Sequence, residues 1–75
     1  MVYETICEML SQCLSCDEAR IRKGTVILQD LECGPADLAE VLMGIEEELG
    51  VSVPEDFVTG STTVAELARF VEDQL

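Results

Sequence analysis

The 75-residue sequence contains no histidine and no tryptophan, and cations are scarce. Without histidine, the commonest general base and the commonest metal ligand at neutral pH are missing. Four Lys and Arg stand against sixteen Asp and Glu, a formal net charge of −12. Such a charge repels nucleic-acid backbones and anionic lipid, and it speeds encounter with basic protein patches. No apolar run approaches the length of a membrane span, and no basic stretch followed by an apolar core marks a secretory signal. No nucleophile elbow and no glycine-rich phosphate loop occur. A chain this short buries only about 60% of its unfolded surface, which leaves little room for a walled active site. The expectation is a monomeric cytoplasmic protein that is not an enzyme and engages neither nucleic acid nor membrane.

What is present argues for a folded domain. The hydrophobic share is 48%, well above that of a disordered acidic tail. From Val2 to Leu14, Val2, Ile6, Met9, Leu10 and Leu14 recur at helical steps, with Glu4, Glu8 and Gln12 between them. Ser15 to Cys33 lacks that period and carries Gly24 as a turn. Its Ile21, Val26, Ile27, Leu28 and Leu31 predict an ordered loop that closes one end of the core. Gly34 at the cap and Pro35 at the first helical position open the next helix, with Asp37 favouring the positive end of its dipole. Leu38, Val41, Leu42, Ile45 and Leu49 form its apolar stripe, Glu40, Glu46, Glu47 and Glu48 lie outside it, and Gly50 stops it.

Pro54 to Val58 reads as a single helical turn. The last helix starts at Thr62 or Thr63, where Thr63-Val-Ala-Glu66 has capping-box spacing. Val64, Leu67, Ala68, Val71 and Leu75 form its inner face, with Phe70 at the edge. The sequence thus predicts one all-α domain over residues 1–75, a four-helix bundle of three longer helices and one short, with a long ordered loop after the first.

Asp30-Leu31 before the acidic helix, Glu46-Glu47-Glu48-Leu49, Val53-Pro54 and Thr62-Thr63-Val64 together resemble bacterial acyl carrier proteins of fatty acid and polyketide synthesis. The likeness runs without a gap from Val2 to Val71. It implies a carrier bundle docking to synthase or transferase enzymes through basic patches on those partners, and it matches Asp37, Glu40, Glu46 and Glu47 to the docking positions. It also implies an Asp-Ser-Leu motif at the start of the acidic helix, its serine esterified by 4′-phosphopantetheine. Here that motif falls on Gly34-Pro35-Ala36, and Pro35 has no esterifiable side chain. Ser11, Ser15, Ser52 and Ser61 do not open that helix, so no prosthetic group is expected. A working carrier with an atypical attachment site is the alternative. A further alternative is a small acidic interaction, metal or redox protein built on the cysteines.

Cys13-Ser-Leu-Cys16, with Cys7 and Cys33, makes a set of four. A usual zinc site has two paired units, whereas only one pair occurs here. Cys7 and Cys13 are separated by about 600° of helical turn. No thioredoxin-like sheet surrounds the pair, so small core filler is expected. Cys33 precedes a helix start that lowers a thiol pKa, but Asp30, Glu32 and Asp37 oppose that. Direct acylation of Cys33 is therefore not expected. Arg20, Arg22 and Lys23 read as a solvated loop.

Overall fold

The computed structural model describes residues 1–75 and contains α-helices and short 3-10 turns with no sheet. α1 spans Val2–Leu14, α2 Ile27–Asp30, α3 Pro35–Leu49 and α4 Val64–Glu72, with 3-10 turns at Glu18–Arg20 and Glu55–Phe57. α1 packs against both α3 and α4. Ile6, Leu10, Val41, Ile45, Val64, Leu67 and Val71 from these three helices are fully buried between them.

Three details differ from the sequence reading. The segment after α1 is an ordered connection, as expected, but it contains a four-residue helix, α2. That turn owes its existence to tertiary contacts. Ile27 is fully buried and its N–H donates to the Thr62 carbonyl at 3.1 Å. The Asp30 carboxylate accepts from the Val26 N–H at 2.9 Å. So short a helix does not nucleate alone, and no periodicity announces it. The short segment expected over Pro54–Val58 is a 3-10 turn over Glu55–Phe57. Lastly, α4 ends at Glu72, and Leu75, expected on the inner face, is 67% exposed.

The start of α4 shows how the connection closes the bundle. Thr63 Oγ1 accepts from the Glu66 N–H at 3.2 Å, and the Glu66 carboxylate accepts from the Thr63 N–H at 2.9 Å. The next orphan donors go to the loop: Val64 N–H to the Thr25 carbonyl at 2.9 Å and Ala65 N–H to the Lys23 carbonyl at 3.1 Å. The helix end is therefore satisfied by residues about forty positions upstream. Phe57 and Phe70 stack with ring centroids 4.2 Å apart, fastening the 3-10 turn to α4.

The charge is almost wholly uncompensated within the molecule. The single ion pair joins the N-terminal ammonium to Glu4 at 3.3 Å, and both groups are exposed, so it contributes little. Raising ionic strength from about 0.01 to about 0.5 M shrinks the screening length severalfold. The melting temperature is expected to rise by several degrees over that range. A melting temperature indifferent to salt would show that the carboxylates do not strain this fold.

Candidate functional site

α3 carries the acidic surface, and its first turn is built by three consecutive residues with no side-chain hydroxyl. Gly34 is extended (φ −82°, ψ 172°) and Pro35 is the first helical residue. Proline suits that place because the helix needs no N–H there and the ring pre-sets φ. The Asp37 carboxylate reaches back to accept from the Gly34 N–H at 3.3 Å, while the Gly34 carbonyl accepts from the Leu38 N–H at 2.9 Å. Pro35 and Ala36 are exposed. No hydroxyl is presented at this helix start.

The four acidic residues matched to docking positions fall into two groups. Glu40 and Glu47 are exposed, and their carboxylates take part in no ion pair or hydrogen bond. Asp37 is half-buried and spent on the helix start. Glu46 is half-buried too, and its Oε2 accepts from the Val53 N–H at 2.9 Å. The side chains therefore share one helix without sharing one state.

A residue that sequence reasoning missed lies among them. Met43 is 58% exposed, and positions 36, 40, 43 and 47 line one face of a helix. Glu40 and Glu47 flank Met43 along that outer face, where an exposed thioether offers an adaptable apolar contact. The signal was available: Met43 falls outside the stripe of Leu38, Val41, Leu42, Ile45 and Leu49.

Beside the start of α3 an open groove is lined by Cys13, Ser15, Cys16, Arg20, Asp30 and Asp37, among others. Ser15 is exposed in a left-handed conformation (φ 53°) that ends α1. It is the one serine bordering the groove that Asp37 also lines. The four cysteines are all free, and they form no cluster suited to holding a metal ion. Cys7 and Cys33 belong to the buried core.

Burial pushes the Cys33 thiol above its ordinary value, and the Asp37 carboxylate and the Cys13 thiol push it the same way. The helix start does not activate it. Cys13 is raised by burial and by Glu40 and Asp37, and Cys7 chiefly by burial. These thiols fold in their neutral form, so the stability they confer is complete below the ordinary thiol value of 9.0. It falls as pH climbs through their raised folded values. Iodoacetamide at pH 8 is expected to leave Cys7 and Cys33 unmodified in the native protein and to label both in urea. Rapid native labelling of Cys33 would contradict its burial.

The family described as "Phosphopantetheine attachment site" matches residues 4–71 of this chain. Among curated proteins, "Acyl carrier protein" of Rickettsia typhi is 27% identical over 73 residues, covering 97% of this chain and 85% of the relative. The protein of the same name from Rickettsia prowazekii shows the same identity and coverage. That of Rickettsia massiliae is 26% identical over the same span. No helix of the chain is long and apolar enough to cross a membrane.

Proposed function

The chain belongs to the acyl carrier protein family, whose members carry rather than catalyse, and from that premise we propose that it is a carrier-type docking module without a prosthetic arm. The observation that carries this reading is the first turn of α3. The family's 4′-phosphopantetheine is held through an esterified hydroxyl, and Gly34, Pro35 and Ala36 offer none. The residues at this helix start do not fit the group.

Docking is the function left to such a molecule. Exposed Glu40 and Glu47 flank exposed Met43, and no cation of the chain lies within ion-pair distance of either carboxylate. A basic surface with an apolar hollow is complementary to that arrangement, and unpaired charge sets encounter rate and orientation. The partners are synthase or transferase enzymes of fatty acid or polyketide synthesis, which the chain occupies in competition with serine-bearing carriers. A cytoplasmic setting suits such partners. One observation favours a second reading, a working carrier attached elsewhere: Ser15 is exposed in the groove that Asp37 borders.

Intact-mass measurement after incubation with coenzyme A and a broad-specificity phosphopantetheinyl transferase separates the two. The expected result is an unchanged mass, together with slower transfer onto a serine-bearing acyl carrier protein when this chain is added. A gain of one phosphopantetheine would overturn the armless reading, and peptide mapping would then test Ser15. Unchanged mass without competition would remove docking to that enzyme as the function.

A further inference from the structure

The segment from Gly50 to Val53 closes the core between α3 and α4 without secondary structure of its own. Val51 and Val53 are buried, and Gly50, at φ 68°, reverses the chain out of α3. The backbone groups of this segment have to be satisfied all the same, and side chains from two different places do it. Glu46 of α3 accepts from the Val53 N–H at 2.9 Å. Gln74, beyond the end of α4, accepts from the Ser52 N–H at 3.0 Å and donates through Nε2 to the Ser52 carbonyl at 2.7 Å. Neither the Ser52 nor the Val53 amide has a backbone partner. The strap is therefore held by two side-chain clips, one charged and one neutral.

The charged clip belongs to the acidic helix. Glu46 follows Met43 by three positions and adjoins Glu47, so its carboxylate lies at the border between the outer face and the strap. We propose that Glu46 is a positioning residue that couples the two: a cation docking on α3 competes with the Val53 amide for this carboxylate and loosens the strap. This rests on the docking reading above. An exposed carboxylate such as Glu40 or Glu47 can take a partner's cation with no internal bond to weaken, whereas at Glu46 the cation draws on the carboxylate that holds the Val53 amide. Docking energy spent at Glu46 thus becomes mobility at Ser52 and Val53, whose valine neighbours cover the core.

Amide exchange followed by NMR tests this, with a tetra-arginine peptide as the cationic probe. Glu46→Ala is expected to speed exchange at Val53 roughly tenfold or more, the scale of one lost hydrogen bond to a charged group, with Leu10 and Leu67 unchanged. Glu46→Gln keeps an acceptor and restores most of the protection. Tetra-arginine speeds exchange at Val53 in the native chain and leaves it unchanged in Glu46→Gln, where no charge competes. Unaltered Val53 exchange in Glu46→Ala, or an equal acceleration at every amide, would overturn the clip. Peptide-induced shifts at Glu40 and Glu47 without a change at Val53 would overturn the coupling while leaving docking intact. A peptide that shifts nothing on α3 would remove the docking reading, and the coupling with it.

Discussion

Replacing Leu10 with alanine is expected to lower the stability of this domain by about 3 kcal/mol, within the usual range for a buried leucine. Leu10 is fully buried on α1, the helix that packs against both α3 and α4. Its removal opens a void where those contacts converge, and neighbours locked in three helices relax only partly into it. Total stability for a chain of this length is on the order of 4 to 11 kcal/mol, so one truncation removes a large share. The melting temperature should fall by roughly 10 to 25 °C at the sensitivity typical of small domains. Met43→Ala is the matched control: Met43 is 58% exposed, and its loss should shift stability by no more than about 0.5 kcal/mol. Urea melts followed by circular dichroism measure both. Similar midpoints for the two variants would mean that the core is not organised around α1.

The contrast between Leu10 and Met43 also shows what the sequence made legible. α1 and α3 have the limits expected from their apolar periods and caps, because helix period, Pro35 and Gly50 are local signals. α4 starts where Thr63 and Glu66 said it would, for the same reason. Its end was misplaced because no glycine or proline stops it. Gln74 is drawn off to Ser52, and a contact across 22 positions leaves no periodic trace. α2 was missed on the same ground, being held by Thr62 from far along the chain. The site divides likewise. Hydroxyl-free Gly34-Pro35-Ala36 can be read directly, and so can the acidity of α3. That Glu40 and Glu47 stand free while Glu46 is tied to Val53 depends on how the strap returns, and nothing local encodes it. The thiols follow the pattern too. Acidic neighbours of Cys33 were visible, but burial is the larger cause of its raised pKa, and only the packed core shows that.

Installing the Asp-Ser-Leu motif by Gly34→Asp, Pro35→Ser and Ala36→Leu together is expected to give a chain that takes up a single phosphopantetheine, where the parent is expected to gain no mass. The backbone permits it. Gly34 is in an extended conformation open to any residue, and a Cβ there would meet only Asp37 Oδ2, at 3.7 Å. Aspartate is a good N-cap, and a helix start favours its charge despite the nearby Asp37. Loss of the proline ring frees the unfolded chain at a cost of about 0.4 to 1 kcal/mol, and no native hydrogen bond is broken, since proline donates none. Ala36 is exposed, so a leucine side chain there extends into solvent. What a transferase needs beyond the hydroxyl is a docking surface, and Glu40, Met43 and Glu47 remain untouched. The triple variant should keep the helical circular dichroism spectrum of the parent and show nearly complete modification by intact mass. Adding Glu40→Lys and Glu47→Lys to it should slow that modification at least tenfold, since opposed charge is converted to like charge at the encounter. A folded triple variant that resists modification would mean that the α3 surface is not read as a carrier. Modification unaffected by the charge reversals would show instead that recognition lies outside Glu40 and Glu47, on the strap or on the groove beside Ser15.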